Sequence, residues 1–93
     1  MKFHIKEHKD FESVLAKNGF TKNDYSFSKK RGFLSINVKT KPEAFIYYRK
    51  KESRLDEKGQ FTDVITYYLN KDKSISFETW EEVLEAFDRF LKE

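Results

Sequence analysis

The chain has 93 residues, of which 38% are hydrophobic and 38% charged, with a formal net charge of +3 and no cysteine. One domain, residues 1–93, is expected, because a division would leave pieces too small to bury a core. The lack of cysteine excludes disulfides, thiolate metal ligands and cysteine nucleophiles. No apolar run is long enough for a signal peptide or a membrane span, so a soluble, cytoplasmic protein without membrane contact is expected.

The charge is unevenly distributed along the chain. Residues 1–60 carry 15 Lys and Arg against 8 Asp and Glu, whereas residues 61–93 carry 4 against 8. This asymmetry indicates either a charged partner or two halves of the molecule that attract each other.

The N-terminal region predicts a short helix over residues 10–18. Asp10 can cap it, Gly19 can close it, and the apolar residues of one face are Phe11, Val14 and Leu15. Before this helix, Phe3 and Ile5 alternate with polar residues, which predicts a short strand.

Two hairpins are predicted next. Tyr25 and Phe27 alternate with serines, as do Leu34, Ile36 and Val38 with polar residues, and a tight turn at Arg31-Gly32 would place Phe27 opposite Ile36 and Tyr25 opposite Val38. The second hairpin would have strands near 44–51 and 61–69, joined by a polar loop at 52–60. Its strands are apolar on both faces.

The C-terminal region predicts a strand and a helix. The strand would cover residues 75–77 after a turn at 70–73. The helix would cover residues 79–92, with Thr79 and Glu82 as a capping box. Its apolar stripe consists of Trp80, Val83, Leu84, Phe87, Phe90 and Leu91.

These elements together indicate an α+β fold. We expect a single antiparallel sheet of four or five strands in meander order, with a short N-terminal helix and an amphipathic C-terminal helix on one face. The stripe that starts at Trp80 would form the centre of the core with Phe27, Leu34, Ile36 and Val38.

One motif is typical of a zinc enzyme. Residues 4–8, His-Ile-Lys-Glu-His, match the inverted zinc-protease pattern. In the strand predicted here, four residues would separate the two histidines by roughly 13 Å, too far to share a metal ion. No nucleophile motif or phosphate-binding loop accompanies it, so no catalytic residue, metal or cofactor is predicted.

A second motif, Arg31-Gly32-Phe33, opens like the RNA-recognition-motif consensus. The pattern then departs, because Leu34 replaces a small residue and Ser35 and Val38 replace aromatic ones. The predicted order of elements also differs, so this resemblance implies no family.

A basic and aromatic surface remains as the candidate binding site. The apolar residues of strands 44–51 and 61–69 leave open which of their faces is the core; with one of the two choices, Phe33, Tyr47 and Tyr67 lie on the face opposite the core, near basic strand ends and loops. The candidate binding residues are Lys29, Lys30, Arg31, Phe33, Tyr47, Arg49, Lys50, Lys51 and Tyr67.

The sequence therefore predicts a non-catalytic interaction module that acts through an aromatic sheet face and basic loops. The leading partner is another protein or a second copy of the chain. The alternative is a single-stranded nucleic acid, because phosphate neutralisation beside stacking rings is what such binding requires.

Overall fold

The computed structural model describes residues 5–69 and 72–93. Its elements are α1 Ile5–Lys17, β1 Tyr25–Lys30, β2 Phe33–Val38, β3 Phe45–Leu55, β4 Phe61–Leu69, β5 Asp72–Phe77 and α2 Trp80–Lys92. The strands form one antiparallel sheet in the order β1-β2-β3-β4-β5. Both helices pack on one face of this sheet, which confirms the predicted α+β fold.

The C-terminal helix agrees closely with its prediction. Val83, Phe87 and Leu91 are buried, and the hydroxyl of Thr79 accepts a hydrogen bond from the backbone N–H of Glu82. The same hydroxyl donates to the Glu82 carboxylate at 3.1 Å. The N-cap is therefore the predicted residue.

Helix α1 begins earlier than predicted. Ile5 lies in the helix and not in a strand, whereas Phe3 lies outside the described residues. Asp10 is consequently in the middle of the helix and does not cap it. The end of the helix is as predicted: Gly19 has a φ of 87°, and the N–H of Phe20 donates to the carbonyl of Leu15.

The first hairpin has the predicted register, with Tyr25 opposite Val38 and Phe27 opposite Ile36. Arg31 and Gly32 both have positive φ, at 51° and 81°. These angles are typical of the type I′ turn that fits the twist of a two-residue hairpin.

The second hairpin is longer than predicted. Strand β3 continues to Leu55, and residues 52–55 pair with residues 61–64, so the predicted loop at 52–60 was wrong over its first four residues. Glu52, Ser53 and Arg54 are polar, so the sequence shows no apolar alternation that would indicate a strand there. The actual turn is stabilised by Asp56, whose carboxylate accepts the backbone N–H groups of Lys58 and Gln60.

Strand β5 also begins earlier than the predicted residues 75–77. Residues 72 and 73, which were assigned to a turn, belong to the strand, while residues 70 and 71 lie outside the described residues. A register shift between Tyr68 and Leu69 marks a bulge in the pairing of β4 with β5.

The core is centred on aromatic rings from three elements. Phe11 of α1 contacts the rings of Phe45, Tyr47 and Phe87 at centroid distances of 5.0–6.2 Å. Leu34 and Ile36 are fully buried beneath them, as predicted. The stripe of α2 contributes Val83, Phe87 and Leu91 to this core, as predicted, whereas Trp80 at its start is only partly buried at the edge of the cluster.

Candidate functional site

The sheet has one covered and one open face, and the cross-strand register assigns each side chain to one of them. Leu34 pairs with Tyr47, and both are buried beneath the helices. Since neighbouring residues of a strand point to opposite faces, Phe33 and Tyr48 lie on the other side. We call this other side the open face.

An aromatic row crosses the open face at one level. Phe33 packs edge-on against Tyr48 with ring centroids 5.0 Å apart, and Tyr48 stacks on Tyr68 at 5.1 Å. These three rings lie on the three central strands, and they are flanked by Lys30 of β1, which pairs with Phe33, and by Ser76 of β5, which pairs with Tyr68. We refer to Phe33, Tyr48 and Tyr68 as the aromatic row.

Basic residues lie beside this row on the open face. Lys30 and Arg31 belong to the first hairpin, and together with Phe33 they line a surface depression of about 310 Å³. Lys50 and Arg54 lie further along β3 on the same face. The predicted residues Lys30, Arg31, Phe33 and Lys50 are thus brought together.

Glu52 is the carboxylate among these cations. It lies between Lys50 and Arg54 on β3 and contacts both, at 2.8 and 3.0 Å. The hydrogen bond from Lys50 lowers the pKa of Glu52, and the same bond raises the pKa of Lys50. The net charge of this part of the open face is therefore positive, because Lys50 and Arg54 share the single carboxylate of Glu52.

Three predicted binding residues lie on the covered face instead. Tyr47 is fully buried, Tyr67 packs against Trp80 at 5.5 Å, and Arg49 forms an ion pair at 2.8 Å with Glu7 of α1. The expected position of Tyr47 and Tyr67 on the face opposite the core was therefore wrong. The irregular segment between β2 and β3 decides which alternate residues of β3 lie on the same face as Leu34 and Ile36. The sequence alone therefore did not determine which tyrosines face the helices.

In the sequence, Glu7 stood out only as part of the zinc-like motif, but among the residues whose burial the structure describes it is the one buried charged residue. Its carboxylate accepts hydrogen bonds from the Tyr47 hydroxyl at 2.5 Å and from Arg49 at 2.8 Å. Burial, together with this hydrogen bond, raises the pKa of Tyr47. These bonds join α1 to β3, which is a structural role.

Two predicted lysines also lie on the side of the sheet that bears the helices. Lys29 pairs with Leu34, and Lys51 forms an ion pair with Asp63 at 3.3 Å. Lys51 is 66% exposed, because the helices do not reach that part of β3. Lys50 and Lys51 are thus adjacent, similarly exposed and on opposite faces.

The zinc-like motif falls partly outside the described residues, since His4 is not among them. Glu7 is engaged as described above, and the ring of His8 stacks on Phe27 at 5.1 Å. Within residues 5–69 and 72–93, no three His, Asp or Glu side chains are grouped so that they could hold a metal ion.

The tyrosines that lie on the open face are Tyr48 and Tyr68, which were not among the predicted binding residues. Their signal was present in the apolar alternation of β3 and β4, which placed Tyr48 on the face opposite Tyr47. Choosing between the two faces required the register with β2, which the structure supplies.

In the part of the chain that the structure describes, no helix is long and apolar enough to cross a membrane. Comparisons with protein-family models, with curated proteins and with solved structures give no match to this chain.

Proposed function

We propose that this chain is a non-catalytic binding module whose ligand lies across the open face of the sheet. The observation that carries the proposal is the aromatic row of Phe33, Tyr48 and Tyr68, whose rings are held 5.0 and 5.1 Å apart on a face that neither helix covers. Large rings at an uncovered face are typical of an interaction surface.

A single-stranded nucleic acid is the ligand class that best fits this face. Bases stack on aromatic rings regardless of sequence, and nearby cations neutralise the phosphates. Lys30 and Arg31 lie at the first-hairpin end of the row, and Lys50 is two residues from Tyr48 on the same face of β3. Rings and cations are therefore within one binding footprint.

The backbone at Arg31 supports the same proposal. Among the residues that the structure describes, Arg31 is the only residue other than glycine with a positive φ, which is 51°. Asn, Asp or Gly is the usual residue at this position of a type I′ turn, and an arginine there is strained. Strain of this kind concentrates at functional positions, and the guanidinium is a strong phosphate ligand.

Anisotropy measurements with a fluorescent single strand of about 15 nucleotides, over a range of salt concentrations, test this proposal. We expect binding that weakens steeply with salt and that Tyr48→Leu and Tyr68→Leu each reduce about tenfold, since stacking contributes about 1–3 kcal/mol per base. Lys50→Gln should lower the salt slope by about one. Lys51→Gln, which removes the same charge from the opposite face, is the matched control.

Two outcomes would contradict the nucleic-acid proposal. One is the absence of binding at low salt, and the other is binding that Lys50→Gln and Lys51→Gln weaken equally. Equal weakening would indicate attraction by overall charge and not by the open face.

A protein ligand on the same face is the second candidate. The pairing of Lys50 and Arg54 with Glu52 favours it, because phosphates would compete with this carboxylate for both cations. A protein contact would depend mainly on the aromatic row and tolerate moderate salt. Binding of a partner that Tyr48→Leu abolishes and salt does not affect would favour this candidate.

A further inference from the structure

The end of the second hairpin extends beyond the helices and exposes apolar side chains on their side of the sheet. Leu55 and Phe61 face each other across the last pair of β3 and β4, and they are 64% and 75% exposed. Ile65, on the same side of β4, is 39% exposed. The molecule is correspondingly elongated, measuring 49 × 25 × 25 Å.

An open cavity lies at the other end of the same surface. It has a volume of about 450 Å³ and lies where the N-terminal parts of both helices meet β4. Tyr67 and Trp80 are its aromatic lining, and Lys6, Glu7 and Asp10 complete it. We call this cavity the socket.

Phe61 and the socket are separated by a fixed distance along one strand. Phe61 and Tyr67 are six residues apart on the same side of β4, which corresponds to roughly 20 Å. Midway between them, Lys51 of β3 contacts Asp63 of β4 at 3.3 Å. The surface thus has an exposed ring at one end, an aromatic cavity at the other, and one charge of each sign between them.

We propose that two copies of the chain associate through this surface, with Phe61 of each inserted into the socket of the other. A two-fold axis across the strands near residue 64 would bring Phe61 over the partner subunit's Tyr67, and the reverse contact follows from symmetry. The same operation places Lys51 at the level of the partner subunit's Asp63, so the charges between the two sockets are complementary.

The layer geometry leaves room for this arrangement. Packed sheets lie about 10 Å apart, which is close to the 10–12 Å diameter of a helix. The partner's hairpin would therefore lie in the same layer as α1 and α2. The tip of that hairpin would contact Trp80. The open faces of both copies would point outward, so this proposal does not depend on what the open face binds.

A second copy of the chain fits this surface because the surface is complementary to itself. Ring, cavity and both charges are all supplied by one chain in positions that a two-fold axis exchanges. The exposed apolar side chains at the hairpin end are few, so we expect an interface smaller than the roughly 800 Å² per partner of a standard complex. The dimer should accordingly form reversibly, with a Kd between about 1 µM and 1 mM.

Sedimentation equilibrium of the full chain over a range of concentrations tests the proposal. We expect a monomer–dimer equilibrium for the native sequence and for Thr62→Asp, and a loss of at least about tenfold in association for Phe61→Asp. Residues 61 and 62 are neighbours on opposite faces of β4. Comparing the two variants therefore shows which face of the hairpin takes part in association. The single tryptophan lies in the socket, and its fluorescence should change with dimer formation.

A charge-reversal mixture distinguishes contact between copies from effects within one chain. Lys51→Asp alone and Asp63→Lys alone should each weaken association, because like charges would meet across the axis. When the two variants are mixed, both contacts across the axis again join opposite charges, and a heterodimer should form more tightly than either homodimer. A native chain that remains monomeric at about 1 mM, or a mixture without preferential heterodimers, would overturn the proposal.

Discussion

The indole Nε1 of Trp80 donates a hydrogen bond of 2.7 Å to the carboxylate of Asp10. Further along both helices, the side-chain amide of Asn18 donates a hydrogen bond of 2.9 Å to the carboxylate of Asp88. Both bonds join residues that are 70 positions apart, so α1 and α2 run parallel. Strands β1 and β5 also run in the same direction, because they are the first and last of five strands in antiparallel meander order.

The first prediction concerns the bond between Trp80 and Asp10. Trp80→Phe should lower the free energy of unfolding by about 1–3 kcal/mol, since it removes a donor from a partly buried carboxylate. In a double-mutant cycle, Asp10→Ala, which removes the acceptor, should reduce the effect of Trp80→Phe. Denaturant unfolding measures all four proteins, and additive effects would show that the bond contributes nothing.

A second prediction follows from the burial of Phe87. Phe87→Ala should lower the free energy of unfolding by about 3–5 kcal/mol, because it opens a cavity beneath Phe11 and Phe45. Trp80→Ala should cost less than Phe87→Ala, since Trp80 lies at the edge of the core. Phe61→Ala at the exposed hairpin end is the control, measured at a concentration where the chain is monomeric, and a cost equal to that of Phe87→Ala would contradict the assigned core.

The third prediction separates stability from binding at Arg31. Arg31→Asn should raise the free energy of unfolding by a few tenths to about 1 kcal/mol, because asparagine tolerates the left-handed backbone of the type I′ turn. The same variant should weaken binding of a single strand, since it removes a cation beside Phe33. Thermal unfolding and anisotropy measure the two effects; an unchanged affinity would remove the support that this residue gives to the proposed function.

The sequence predicted much of the fold because the relevant signals are local. The stripe of α2 repeats with the helical period, and the alternation of β1 and β2 with a two-residue turn determines their register. The extension of β3 was missed because both faces of the strand are accessible to solvent at Glu52, Ser53 and Arg54. Polar residues on both faces give no alternation of apolar and polar residues from which a strand could be predicted.

The candidate site was predicted only in part for a different reason. Lys30, Arg31 and Phe33 belong to the first hairpin, whose faces follow from its own alternation. The choice between Tyr47 and Tyr48 depends on the register of β3 against β2, and apolar residues on both faces of β3 do not distinguish the alternatives. The role of Glu7 depends on contacts with residues 40 or more positions away, which no local pattern contains.

The last prediction concerns the buried hydroxyl of Tyr47. Burial first, and then the hydrogen bond to Glu7, raise the pKa of this phenol in the folded state, whereas an unfolded tyrosine ionises near pH 10. The unfolded chain thus releases its proton first as the pH rises. Stability is fully present below about pH 10 and should fall above it, by up to about 1.4 kcal/mol per pH unit for this group.

Tyr47→Phe tests this linkage, because phenylalanine cannot ionise. At neutral pH the variant should be less stable by about 1.5–3 kcal/mol, since Glu7 loses a hydrogen bond to its carboxylate. Between pH 10 and pH 12 its stability should decline less steeply than that of the native chain, although Tyr67, whose pKa is also raised by burial, retains part of the decline. Tyr48→Phe is the matched control and should keep the native decline because Tyr47 is still present. Denaturant titrations at each pH decide the matter: equal slopes for Tyr47→Phe and the native chain would show that Tyr47 ionises in the folded state without penalty.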